Sequence, residues 1–189
     1  MQDSKIRKCF NNRLKEKPFI LFSCEGAAEK AVIELLVSSG KVKFDQDDIV
    51  DGKITRVRKA RDVENTFLNR DYEERGLIIC RILDSRSENF NLKKQYAGQY
   101  DVFNIYTRPE IEILHIIANR KYTEFKKSGE KPSIFFKELN GFKNYHFKSE
   151  EYIKEQYSDI NLLINTIREY DRVCGQKDEL NLSDLLIDG

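Results

Sequence analysis

The chain has 189 residues, 40% of them apolar, with 12 Phe, 9 Tyr, 9 Gly and 3 Pro; this suits one folding unit with a sizeable core and excludes collagenous, low-complexity and disordered classes. Its 33 basic and 32 acidic side chains leave a formal charge of +1, so there is no global field for a polyanion and any basic surface must be local. Residues 1–61 hold 14 basic and 9 acidic side chains, which makes the first third the basic part. Cys9, Cys24, Cys80 and Cys174 offer no Cys-x-x-Cys pair for zinc or dithiol chemistry, and thiols within apolar runs fit a reducing compartment. No stretch approaches the ~20 apolar residues of a membrane span, and the basic start lacks the apolar run of a signal peptide. A cytoplasmic protein without membrane contact is expected.

In chain order, residues 1–17 form a polar, basic segment that stops at Pro18. Phe19–Cys24 is a short apolar run with the character of a strand buried on both faces. Ala28, Ala31, Val32, Leu35 and Leu36 recur at helical spacing and Gly40 follows, which predicts a helix over Ala27–Ser38. Residues 41–60 alternate loosely and predict one or two strands about an Asp51-Gly52 turn. A helix is expected over 61–74, ended by Gly76, followed by the buried strand Leu77–Leu83. The cycle repeats with a helical 90–97, a strand over 102–106 and a helix over 109–126. Further helices are expected over 134–139, 150–157, 160–170 and 180–187. Strands alternating with helices imply crossover connections. The predicted fold is therefore α/β: a mostly parallel sheet flanked by helices over 18–126, with a mainly helical extension over 127–189.

In open α/β sheets, groups acting on a ligand gather at the carboxyl ends of the strands. Here those ends supply acids: Glu25 and Glu29 after the first strand, Asp84 after the second, Glu110 and Glu112 after the third. Carboxylates brought together repel unless a divalent cation neutralises them, and hard oxygen donors select Mg²⁺ or Mn²⁺. Each acid also has a purely structural reading. Glu25 and Glu29 suit a helix N-terminus, Asp84 could cap a helix, and Glu110 completes a capping box with Thr107 around Pro109. Glu112 lies beyond that cap, on a stripe with His115 and Asn119, and is the stronger ligand candidate of that pair. His115 reads as a histidine satisfied beside an apolar face.

The run Phe19-Ile-Leu-Phe-Ser-Cys-Glu25-Gly26-Ala-Ala-Glu29-Lys30 resembles the first motif of Toprim domains, an apolar strand followed by Glu-Gly and a second acid, in the form found in OLD-type and small phage-defence Toprim nucleases. Ile82-Leu83-Asp84-Ser85-Arg86 stands where the family places its Asp-x-Asp, and Arg108-Pro109-Glu110-Ile111-Glu112 resembles its later acidic segment. The resemblance covers about residues 18–120 and departs at Arg86, which replaces the second Asp. It implies a Toprim-like, Rossmann-like core and phosphodiester hydrolysis aided by Mg²⁺ or Mn²⁺. Glu25, Glu29 and Asp84 would be catalytic, Glu25 as metal ligand or general base and Glu29 and Asp84 as metal ligands; Glu112 or Glu110 would be a supporting ligand, and Arg86 would contact phosphate. The implied partners are RNA such as tRNA, or DNA, an ATPase sensor that holds the nuclease inactive, and a second copy of the chain; the implied role is antiphage defence by abortive infection.

Gly52–Arg61 holds five cations and no acid. On a strand, Arg56 and Arg58 would share a face and could grip phosphates, with Lys59 and Arg61 beside them; a charged edge strand is the structural alternative. From Phe135 to Tyr157 seven aromatics alternate with Lys137, Lys143, Lys148 and Lys154, a pattern that could stack on single-stranded RNA but reads more simply as the core of the helical extension. Two rivals to a nuclease stand beside it: a catalytically inactive Toprim-like module docking on an ATPase, favoured by Arg86, and a flavodoxin- or receiver-like switch whose acidic pocket binds Mg²⁺.

Overall fold

The structure is a computed structural model that describes residues 4–187. Four parallel strands, β1 (Phe19–Cys24), β2 (Leu77–Leu83), β3 (Asp101–Tyr106) and β4 (Leu180–Asn181), pair in the order β1-β2-β3-β4. Phe19 pairs with Leu77, Ile78 with Asp101 and Ile105 with Leu180. Every residue of β2 is buried, as expected for a central parallel strand covered on both faces. The fold is thus α/β and Rossmann-like, an all-parallel sheet flanked by helices.

The period of two in the strands divides the core. Ile20, Phe22, Cys24, Ile78, Cys80, Ile82, Phe103 and Ile105 point to the larger core, covered by α1 (Lys5–Lys15), α2 (Ala27–Ser38), α4 (Ile113–Ala118), α6 (Pro132–Leu139), α7 (Glu150–Gln156) and α8 (Ile160–Cys174). Leu21, Leu77 and Ile79 point the other way, under α3 (Ala60–Thr66) and the chain that follows it. On this second face the residues near the carboxyl edge are polar, since Ser23 pairs with Arg81 and Arg81 with Asn104.

The basic segment before Pro18, for which no element was expected, contains α1, whose Phe10 and Leu14 are buried and whose Ser4 caps its first turn. Several expectations are corrected. Residues 41–60 hold two single 3₁₀ turns instead of strands, and they seal the free edge of β1 by isolated bridges from Ile49 to Ile20 and Thr55 to Ser23. The helix expected over 61–74 is shorter: α3 ends at Thr66, and a 3₁₀ turn occupies Glu73–Arg75. The helix expected over 90–97 is a hydrogen-bonded turn at Lys93; Phe90, Leu92 and Tyr96 lie spread over the smaller core, where α3 leaves the sheet uncovered.

The helix expected over 109–126 is two helices, α4 and α5 (Tyr122–Ser128). Arg120 adopts a left-handed conformation, with Arg120 N–H donating to Ile117 C=O and Lys121 N–H to Ile116 C=O, the paired closure that ends a helix. The expected capping box at Thr107 does not form, because Thr107 extends the sheet: its N–H and its hydroxyl both donate to Leu83 C=O. The expected helix over 180–187 is β4 followed by a 3₁₀ turn, Leu182–Leu185, closed by reciprocal bonds between Asn181 and Asp184. The helical extension therefore returns to the sheet and supplies its last strand. No helix among the described residues is long and apolar enough to cross a membrane.

Candidate functional site

Because the strand order never reverses, the crevice at the carboxyl edge is made by turns. Glu25, Gly26, Ala27, Ala28 and Glu29 from the β1–α2 turn, Asp84 from the end of β2, Glu110, Ile111 and Glu112 from the β3–α4 turn, and Lys148 from the 3₁₀ turn before α7 line one cleft of about 340 Å³. All five acids expected at the strand ends meet there.

Each acid is held differently. Glu25 follows the last residue of β1; its Oε1 accepts from Arg58 Nη2 at 2.9 Å and its Oε2 from the Asp84 backbone N–H at 3.5 Å. Glu29 lies in the first turn of α2, where the helix dipole favours a negative charge, and is 7% exposed. Its carboxylate folds back over the turn, so a Cβ on Gly26 would sit 2.6 Å from Glu29 Oε2. A side chain at Gly26 would push the Glu29 carboxylate aside, whereas the backbone angles of Gly26 are extended and make no demand for glycine. Glu110 turns to the N-terminus of α6 and accepts from Ser133 N–H at 2.9 Å. It caps a helix, as its structural reading required, but a different helix from the one expected. Glu112 is buried at the start of α4 and is met by Lys148 Nζ at 3.3 Å.

The electrostatics follow from packing acids without matching cations. Burial, then the charge of Glu25, a hydrogen bond to it and the charges of Glu110 and Glu112 push the Asp84 carboxyl up to about 6. Burial raises Glu29 as well, with help from Glu112, Glu25 and Asp84, and burial raises Glu112 against the pull of Lys148. Five carboxylates face two cations, a negative excess that a divalent ion would relieve. An all-oxygen donor set suits Mg²⁺ or Mn²⁺, so the chemistry of the residues fits such an ion. Among the described residues, however, no group of three or more His, Cys, Asp or Glu side chains is drawn together closely enough to hold a metal as it stands. The donors share a cleft but are not converged on a point.

The basic residues are dispersed. Arg56, Lys59 and Arg61 are exposed, on a segment that is not a strand, so the expected pairing of Arg56 with Arg58 on one strand face does not occur. Arg58 is tied to Glu25 and Glu88. Arg86 turns to Glu179, which also pairs with Arg108. Most of the aromatics from Phe135 onward enter the core: Phe136, Phe147 and Tyr157 are buried, and His115 stacks between Phe136 and Tyr157 with ring centroids at 5.0 and 5.6 Å. Burial lowers His115 to about 4, a neutral ring in the interior.

Glu88 and Arg81 were not among the candidates, and Lys148 was one only as part of the aromatic and lysine pattern, not of the acid cleft. Lys148 and Glu88 are brought in by tertiary folding and carry no local signal. Arg81 does carry one, as the single charge inside the otherwise apolar Leu77–Leu83 run. Comparison with family models, curated proteins and solved structures gives no match.

Proposed function

We propose that this chain is a metal-dependent nuclease that hydrolyses phosphodiester bonds in RNA or DNA, working in the cytoplasm. The observation that carries the reading is the meeting of Glu25, Glu29, Asp84, Glu110 and Glu112, from three separate strand ends, in one cleft. Glu25, Glu29, Asp84 and Glu112 would hold Mg²⁺ or Mn²⁺; Glu110, engaged at the start of α6, would support Glu112 from behind. A divalent ion bound there would supply a water of lowered pKa and positive charge for the phosphate oxygens. The chain's own residues do the rest. Glu25, a partly exposed acid with one oxygen on the Asp84 N–H, would take a proton from the attacking water. Arg56 and Lys59, exposed on the segment that leads to α3, and Arg61, exposed in its first turn, would draw the strand in by its phosphates. The order of the acidic motifs and their likeness to Toprim nucleases support this reading, and the antiphage role with an ATPase partner rests on that likeness alone.

A second reading, an inactive binding module, is favoured by two features: the acids are not converged on a point, and Arg86 faces Glu179 instead of the cleft. Incubating the purified protein with tRNA, single-stranded RNA and plasmid DNA in Mg²⁺ or Mn²⁺ separates the two. Cleavage that is lost on chelation and abolished by Glu25→Ala supports the nuclease; no cleavage of any of the three, with either metal, supports the module.

A further inference from the structure

Four charges alternate from the cleft into the sheet: Glu25, Arg58, Glu88, Arg81. Arg58 Nη2 lies 2.9 Å from Glu25 Oε1 and 2.6 Å from Glu88 Oε1, and Arg58 Nε donates to the same Glu88 oxygen at 3.1 Å. The other Glu88 oxygen accepts from Arg81. Arg81 is 1% exposed, with Asn104 Oδ1 at 3.3 Å on one side and the Phe90 ring 4.3 Å away on another, and its Nε has no hydrogen-bond partner among the described residues. A guanidinium buried in a sheet is costly unless its charge is matched, and here the match is Glu88. The inner half of the chain is therefore fixed, while the outer pair, Arg58 with Glu25, is about one-third exposed on each side.

We propose, resting on the metal reading of the cleft, that Arg58 is an exchangeable counter-ion: it neutralises Glu25 until a divalent cation takes that carboxylate, and Glu88 with Arg81 keeps the guanidinium in place throughout. Three features carry this. Arg58 and a cation at Glu25 Oε1 compete for the same negative charge and repel each other across that oxygen, so binding of one weakens the hold of the other. Arg58 has donors to spare, since the guanidinium fork can release Glu25 and keep both bonds to Glu88. Glu88, held from behind by Arg81, is prevented from following its cation into the cleft and becoming a stray ligand. The same exchange accounts for acids that share a cleft without converging: the side chain of Glu25 is drawn toward Arg58.

Calorimetric titration of Mn²⁺ into the purified chain tests this without reference to cleavage. Arg58→Gln is expected to bind Mn²⁺ about two- to fivefold more tightly than wild type, the range set by a partly exposed ion pair that no longer has to be broken. Arg58→Lys, which keeps the charge, should return the affinity toward wild type. Arg56→Ala removes the same charge two residues away, from a side chain that forms no ion pair among the described residues, and should leave the affinity unchanged. Equal or weaker binding by Arg58→Gln overturns the exchange while leaving the metal site standing, and so does equal tightening by Arg56→Ala, which would indicate a general field. Absence of Mn²⁺ binding in wild type and all variants overturns the metal reading and the exchange with it.

Discussion

Two charge clusters stand at the carboxyl edge of the sheet, and they are built on opposite rules. Around Glu179 two arginines, Arg86 and Arg108, enclose one buried carboxylate, and the Tyr170 hydroxyl closes the same corner by donating to Arg108 C=O. In the acid cleft five carboxylates share two cations, and two of the five, Glu29 and Glu112, are almost wholly buried. The first cluster leaves no carboxylate without a cation and ties the β2 and β3 loops to the segment that enters β4; the second leaves acids without cations and raises the carboxyl groups of Asp84, Glu29 and Glu112. A fold gains nothing from unmatched charge, so the second cluster points to a ligand and the first to structure.

The largest stability effect should fall on the matched cluster. Glu179→Ala leaves Arg86 and Arg108 facing each other without an acid and is expected to destabilise by about 1–2 kcal/mol in urea unfolding, below the range for fully buried pairs because both arginines reach solvent. Cleavage should survive. If Glu179→Ala removes cleavage at unchanged stability, the two clusters act as one site.

The unmatched cluster should respond with the opposite sign. Asp84 titrates near 6 in the fold against about 4 when unfolded. The folded state holds its proton more tightly, so this group's stability contribution is present below pH 4 and is lost as pH rises through 6. Asp84→Asn should therefore stabilise at pH 7 by about 1 kcal/mol, discounted for partial exposure, and this gain should vanish near pH 4. Destabilisation at pH 7 would show that the Asp84 charge is already matched. His115, lowered to about 4, works in the other direction: stability should fall as pH drops from 6.5 toward 4, and His115→Phe should reduce that fall.

The smallest stability effect belongs to the exposed cations. Arg56→Ala with Lys59→Ala should change unfolding free energy by less than about 0.5 kcal/mol. It should reduce the salt slope of nucleic-acid affinity by about one to two units, one for each lost phosphate contact. An unchanged slope would assign both residues to solubility.

The first three strands and the acids were legible because they depend on local features. Phe19–Cys24 and Leu77–Leu83 are apolar runs with no alternative but burial, and an acid after a strand lands at the carboxyl edge whatever the rest of the chain does. What could not be read depends on contacts distant in sequence. Phe90, Leu92 and Tyr96 look helical until the bare second face of the sheet claims them. Leu180–Asn181 is too short to announce a strand, and pairs only because β3 offers a free edge. Thr107 resembles a helix cap by spacing, yet its hydroxyl is taken by Leu83 C=O. Arg58 has the composition of a phosphate contact, and only the fold shows it gripped between Glu25 and Glu88.

The thermal midpoint of the purified protein at pH 7, with and without saturating Mn²⁺, tests the central claim most directly, because a cation that relieves an unmatched cluster binds only the folded chain. The account predicts a rise in wild type, by several degrees at a hundredfold excess over the dissociation constant, that is lost in Glu25→Gln combined with Glu29→Gln and kept in Glu179→Gln. A midpoint that Mn²⁺ leaves unmoved in wild type, or a rise that survives the double substitution, would contradict it.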